Sequence, residues 1–362
     1  MNTFFGRFSK GRISALACLL FTFVPVGANA GSARADAARL LGPPPDAQPP
    51  VVSASFYLTD LSRVEGEHEL CVFEGKLTLT WQDSRQSFDP EETGLSEMIY
   101  QGNYQFSEVY NGWWPQIALR NESGELSREG NILHIAPNGA MAYTEELEVS
   151  AKSPMQMGGF PFDRQTCTAS IEVLGFDSRR VVLRADDESG GRDLAVHRVA
   201  DWRLIGLSQT VSEVDSRNAE GSSASSSVFH VNIQVERDPG FALRVIVLPL
   251  VMLVMLSWSV FWMNRDSLGD RLDVSFVVIL TVVAFQILVS EQMPRIPYFT
   301  LMSAFLYINY MMLVASVVIN ISVDRLARRG QTERSHSVDF RCRWLFPVIY
   351  ITLLMFAGVL YL

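Results

Sequence analysis

Between residues 51 and 238 apolar and polar positions alternate in short runs. Leu77-Thr78-Leu79-Thr80-Trp81 is one such run. Phe229, Val231, Ile233 and Val235 form another, with His230, Asn232, Gln234 and Glu236 on the opposite face. Cys167, Ala169, Ile171 and Val173 repeat it. A period of two places alternate side chains on one buried face of a strand. Gly, Pro, Asn and Asp separate the runs, so the pattern predicts an all-β, immunoglobulin-like antiparallel sandwich. Residues 212–227 read as a polar, Ser-rich loop. After residue 240 the pattern changes to long uncharged runs. They predict an all-α domain of four membrane-spanning helices at about 241–263, 269–290, 298–323 and 344–362.

The chain start reads as a signal peptide over residues 1–30. Arg7, Lys10 and Arg12 precede an apolar stretch, and Ala28-Asn29-Ala30 offers small residues for cleavage. Residues 31–50 form a Pro-rich linker. Export of the strand domain leaves residues 324–343 cytoplasmic. That connection carries Arg325, Arg328, Arg329, Arg334, Arg341 and Arg343 against Asp324, Glu333 and Asp339, as the positive-inside rule requires. This layout puts the strand domain outside the membrane.

The second span has the poorest hydrophobicity of the four and is bounded by Asp270, Arg271, Asp273 and Glu291. Asp273, Val277, Leu280, Ala284, Ile287 and Glu291 follow at spacings of 4, 3, 4, 3 and 4, one helix stripe with a carboxylate at each end. Copies around a pore would give acid rings at both mouths and an apolar constriction between them. Acid rings favour cations, and apolar constrictions gate by dewetting. Ordinary helix-packing surface is the other reading of the same spacing.

Composition adds limits. The mean hydropathy is above zero despite 39 Asp and Glu, which excludes a plain soluble enzyme or a disordered chain. Residues 31–240 carry 17 basic and 32 acidic residues, and 241–362 carry 10 and 7. An outer domain this acidic concentrates cations and repels nucleic acid. Removal of the signal leaves Cys71, Cys167 and Cys342, an odd, low number that argues against a disulfide framework. No spacing suggests a metal site or a cofactor.

Phe160-Pro161-Phe162-Asp163 followed by Cys167 resembles the signature loop of the pentameric ligand-gated ion channels, the Cys-loop receptor superfamily. Ser153 stands where animal members have that loop's partner cysteine. Trp81-Gln82-Asp83-Ser84-Arg85 is similar to the family's WxDxR strand. Trp114-Pro115, the run from Ser257 to Trp262, and Met293-Pro294-Arg295-Ile296-Pro297-Tyr298 complete the ordered matches. The resemblance is to the bacterial branch, nearest its proton-gated channels. It implies a homopentamer in a lipid bilayer, conducting monovalent cations, with Asp270, Asp273, Val277, Leu280, Ala284, Ile287 and Glu291 along the pore.

By the same resemblance the gate is driven from the boundary between the domains. Residues 63–69 meet there with Phe160, Pro161, Phe162 and Asp163, with Arg237, and with the loop holding Arg295 and Pro297. Charge logic offers Glu65, Glu67 and Glu69 to Arg237 and Arg295, and leaves Asp163 to a nearby arginine or a turn. Asp60, His68 and Glu69 are candidate proton sensors, since an unperturbed His titrates near 6.5. Leu174, Phe176 and Asp177 occupy the region where relatives bind small-molecule agonists, without the tryptophan of an amine box. A channel gated by an unknown small molecule, and a membrane-anchored sensor that never conducts, are the competing readings. No catalytic constellation supports an enzyme.

Overall fold

The computed structural model describes residues 41–361 apart from 46–47, 124–125, 187–197, 218–222, 264–267 and 293–296. The expected signal peptide and most of the linker lie outside the described residues. Eleven strands are described: β1 (Val51–Glu65), β2 (Leu70–Gln82), β3 (Met98–Gln101), β4 (Ile117–Leu119), β5 (Ser127–Ile135), β6 (Ala140–Lys152), β7 (Arg164–Val173), β8 (Val182–Ala185), β9 (Arg198–Val199), β10 (Trp202–Arg217) and β11 (Ser223–Arg237). They form a six-stranded sheet ordered β3-β5-β6-β2-β1-β8 and a five-stranded sheet ordered β4-β7-β11-β10-β9. Pairing is antiparallel except between β1 and β8.

The alternation seen in the sequence becomes the core. Phe56, Phe73, Leu77, Leu79, Leu133 and Tyr143 from one sheet meet Cys167, Ala169, Phe229, Val231 and Ile233 from the other, all buried. The sheets also share polar bonds. The Gln209 side chain on β10 accepts from the Phe56 backbone N–H at 2.9 Å and donates to its carbonyl at 2.8 Å. Those two bonds satisfy backbone groups that would otherwise be costly to bury.

One expectation is corrected here and one open question is answered. Residues 212–227 are not a loop. β10 and β11 stay in register from Val211 opposite Phe229 to Arg217 opposite Ser223, so only residues 218–222 remain outside the described strands. Serine is a weak strand former, but cross-strand pairing overrides propensity. The sequence left open whether Cys71 and Cys167 meet: Cys71 on β2 and Cys167 on β7 are disulfide-bonded, with Cα atoms 5.9 Å apart, and join the two sheets. Cys342 is free.

Four long helices follow: α1 (Gly240–Trp262), α2 (Leu268–Gln292), α3 (Leu301–Arg328) and α4 (Thr332–Tyr361). Among the described residues three of them, α1, α3 and α4, are long and apolar enough to cross a membrane. α1 widens into a π turn at Leu243–Val247 just before Pro249. Proline lacks the N–H of a regular helix and crowds the carbonyl four residues back, and the wider turn absorbs both defects. Ser257 and Ser316 join α1 to α3 at 2.7 Å, and the Tyr350 hydroxyl donates to Asn309 to join α4 to α3 at 3.2 Å. The connection expected over 324–343 is mostly helix. α3 runs through the Asp324–Arg328 pair at 2.8 Å, and α4 resumes after a turn at Gly330. The i,i+4 pair stabilises that last turn.

Candidate pore face and coupling interface

α2 packs on the other helices through one stripe. Arg271, Ser275, Val278, Val282 and Val289 are all at most 3% exposed. Two positions from these, Asp273, Val277, Leu280 and Ala284 further along and Ile287 before Val289 are all exposed, with Leu280 at 70%. A shift of two residues is about 200° around a helix. The stripe from Asp273 to Ile287 is therefore on the face turned away from the chain's own bundle. Asp270 is exposed beside it. Glu291 falls within α2, but its side chain lies outside the described residues.

The boundary between sandwich and helices is built around Arg237, the last residue of β11. Its Nε donates to the Asp163 carboxylate at 2.8 Å, and its backbone N–H donates to the Asp163 carbonyl at 3.1 Å. Its guanidinium carbon lies 4.0 Å over the Trp202 ring and 4.9 Å from that of Phe160. Both charged side chains are largely buried, Asp163 at 2% exposure and Arg237 at 13%. Gln165 donates to the other Asp163 oxygen at 2.7 Å and also brackets the Gln156 backbone. A buried pair needs such saturation of its remaining lone pairs. Phe160 joins Pro161 through a cis bond, and Phe162 is exposed at the tip.

The loop carrying this pair reaches the helices directly. Met157 donates its N–H to the Tyr298 hydroxyl at 2.8 Å, and the Leu301 N–H donates to the Gly158 carbonyl at 2.8 Å. Gly66, between β1 and β2, touches the same loop so closely that a Cβ there would sit 1.4 Å from the Met157 Cε. Three elements expected at the boundary therefore meet there, and Pro297 lies exposed next to Tyr298. Arg295 lies outside the described residues.

The expected glutamate partners of Arg237 are not the ones observed. Arg237 is committed to Asp163. Glu65 instead accepts from Arg63 at 3.0 Å and lies 3.2 Å from the His68 ring nitrogen. The Arg63 hydrogen bond holds its carboxyl below the usual range. Glu67 is exposed, and Glu69 has a positive φ of 53° with its carbonyl accepting from the Ser153 N–H. Glu65 and Glu69 are half-buried and Glu67 is exposed, whereas the Arg237 guanidinium lies by the Trp202 and Phe160 rings. Asp60 is exposed on β1 at a register shift, away from His68's turn in the strand ladder.

Leu174, Phe176 and Asp177 follow β7 without forming an aromatic box. Leu174 is exposed, Phe176 meets the edge of Trp113 at 6.2 Å, and Asp177 is held below its usual range by Arg179 at 2.6 Å. One titratable group escaped the sequence reading. Glu145 is 3% exposed in the inward row of β6, 3.6 Å from Arg128, and burial pushes its carboxyl up. The signal was available: it stands at an inward position between Tyr143 and Leu147. The WxDxR strand end is a closed motif, with Arg85 gripping the fully buried Asp83 at 2.8 and 2.7 Å.

Comparison with known proteins agrees with this architecture. Residues 39–239 match the neurotransmitter-gated ion-channel ligand binding domain, and residues 246–345 match the neurotransmitter-gated ion-channel transmembrane region. A proton-gated ion channel of Gloeobacter violaceus is 26% identical over 310 residues, 85% of this chain and 83% of that one. A gamma-aminobutyric acid receptor beta subunit of Caenorhabditis elegans is 26% identical over 272 residues, 74% of this chain and 47% of its own. The mouse gamma-3 subunit is 22% identical over 279 residues, 75% of this chain and 56% of its own. The chain thus spans about half the length of these receptor subunits. A strand sandwich followed by a helical membrane domain, matched along both halves, places the chain in the pentameric Cys-loop ligand-gated ion channel family, whose members are channels and not enzymes.

Proposed function

We propose that five copies of this chain form a cation channel in a bacterial inner membrane, opened by protons from the side of the sandwich domain. α2 lines the pore. Asp270 and Asp273 form acid rings at the inner mouth and Glu291 forms one at the outer mouth. Val277, Leu280, Ala284 and Ile287 close the pore at rest by keeping it dry. The observation that carries this reading is the exposure of the Asp273–Ile287 stripe on the side of α2 opposite its packing face.

Protons act on carboxylates and imidazoles of the outer domain. Asp60, Glu69 and the His68–Glu65 pair are candidates on the surface, and the buried Glu145 is a candidate in the core. Movement of the sandwich reaches the helices through Asp163 and Arg237, with Glu67, Phe160, Pro161, Phe162, Arg295 and Pro297 around them. Leu174, Phe176 and Asp177 mark the site of any small-molecule modulator.

The test is the current across a bilayer holding the full-length protein during an external acid step, under unequal sodium and chloride gradients. Inward current reversing near the sodium potential is expected. Reversal near the chloride potential refutes cation selectivity. Silence on acidification, with steady current in Leu280→Ser, refutes proton gating. Silence in both, with assembled protein present, refutes conduction.

A further inference from the structure

The outward face of the five-stranded sheet carries polar rungs that span three strands. Thr168 of β7 donates to the Asn232 side-chain oxygen of β11 at 2.9 Å, and the Asn232 nitrogen reaches Thr210 of β10 at 3.4 Å. Nearer the membrane, Arg164 of β7 and Arg203 of β10 both pair with Glu236 of β11. One rung above Asn232 the middle position is titratable. One ring nitrogen of the half-buried His230 lies 3.0 Å from the Ser170 hydroxyl of β7, and the other lies 2.8 Å from the Ser212 hydroxyl of β10.

A hydroxyl donates or accepts as its rotation allows. A neutral imidazole needs one donor and one acceptor, and an imidazolium needs two acceptors. This rung therefore holds the ring in either charge state without losing a bond. The His68 side chain, 71% exposed, exchanges its partners with water instead.

The surroundings favour the neutral ring. Burial, and after it the charge of Arg120, hold the His230 pKa below its ordinary 6.5. Arg120 is fixed to the β7 side. Its N–H donates to the Ser170 carbonyl at 2.8 Å, and the Asn121 side chain next to it accepts from the Ser170 N–H at 2.9 Å and donates to the Thr168 carbonyl at 2.6 Å. Glu172, two residues along β7 from Ser170, pairs with the Arg120 side chain at 2.7 Å. β10 offers Thr210 and Ser212, and β11 itself offers Val228 and Asn232, none of them charged. Among the described residues the charged groups on this side of the ring are therefore Arg120 and Glu172.

β7 and β11 stay paired from Glu172 opposite Val228 to Arg164 opposite Glu236. At one end of this ladder are Ser170 and His230. Seven residues along each chain segment, about 23 Å away, are Asp163 and Arg237, the buried pair at the domain boundary. The same two strands thus hold the ring and the coupling pair.

We propose that His230 is the principal proton-binding group of the gate, its charge on β11 set against Arg120 on the β7 side. The proposal rests on the reading of the chain as a proton-gated channel. A charged ring favours arrangements in which β11 shifts against β7 at this rung, since these give the ring more water and more distance from Arg120. A proton that binds the open arrangement more tightly than the closed one must favour opening. The shift passes along the ladder to Asp163 and Arg237.

The test is the acid-activation curve of the full-length channel in a bilayer. Wild type should reach half-maximal current on the acid side of pH 6.5. His230→Gln can still bond both serines but cannot take the proton, and should need about tenfold more protons for half-maximal current. Ser212→Ala removes an acceptor that the imidazolium needs, and should need about threefold more. In the His230→Gln background Ser212→Ala should add no shift, whereas a merely structural role would make the two shifts add. A His230→Gln curve that coincides with wild type overturns the proposal and leaves proton gating standing. Wild type silent to acid, with Leu280→Ser conducting, refutes proton gating and this proposal with it. If His230→Gln fails to assemble, an unshifted Ser212→Ala curve overturns the proposal and the acid-ward shift supports it.

Discussion

Replacing Cys71 and Cys167 with alanine opens the bond between the two sheets. The bond closes a loop of 96 residues. The chain-entropy relation for a loop of that length gives about 4–5 kcal/mol of stabilisation, chiefly by restricting the unfolded chain. For a domain of this size each kcal/mol moves the melting temperature by about 2–4 °C. The double variant should therefore melt about 8–20 °C lower. The assay is a tryptophan-fluorescence melt of the full-length protein in detergent, since Trp81, Trp113 and Trp202 are buried in the sandwich. Denatured wild type should present only the Cys342 thiol of these three cysteines to a thiol reagent until reduced. A shift below about 3 °C with the bond verified in wild type would refute the entropic reasoning. Three reactive thiols before reduction would refute the bond itself.

Asp163→Asn should raise the stimulus needed for half-maximal current and reduce its maximum. It removes the charge facing the buried Arg237, a loss of about 3–5 kcal/mol for such pairs, and acid-activation curves read it directly. Leu280→Ser should conduct at rest, and a current no larger than wild type at neutral pH would contradict the dewetted constriction. Glu145 has a folded-state pKa raised above its ordinary value of 4.5 by burial. Its contribution to stability is complete below that ordinary value and is lost as pH rises through the raised one. Glu145→Gln should accordingly stabilise the outer domain at neutral pH and flatten the acid side of the melting profile. A larger stability gain on acidification in the variant than in wild type would contradict this sign.

The strand alternation and the α2 stripe were legible in the sequence because each side chain's face follows from a fixed helical or strand period. Resemblance placed Phe160, Asp163 and Arg237 at one boundary. Local pattern could not pair them, since Asp163 and Arg237 are 74 residues apart and the nearer glutamates looked equally suitable. The disulfide was hidden for a related reason. Cys71 and Cys167 each occupy an inward position of an alternating strand, and only the stacking of the two sheets brings those positions together. The hairpin over 212–227 was obscured by serines whose strand conformation depends on a partner across the ladder. Asp339 was read as one more charge of an aqueous loop, because nothing in the Arg-rich run around it shows that α4 has already begun and turned that residue inward.

β11 runs unbroken for 15 residues from Ser223 to Arg237, while the irregularity of its hairpin is confined to the β10 side, between Leu204 and Gly206. At about 3.3 Å per residue the strand is a rod of about 50 Å. One end reaches the outer hairpin and the other is the arginine seated on Trp202 and Asp163. A rod of that length turning about its middle by 2–3° would carry its ends through about 1 Å. That is comparable to the play in a hydrogen bond, so a tilt too small to disturb the sandwich core is enough leverage to unseat Arg237 or press it home.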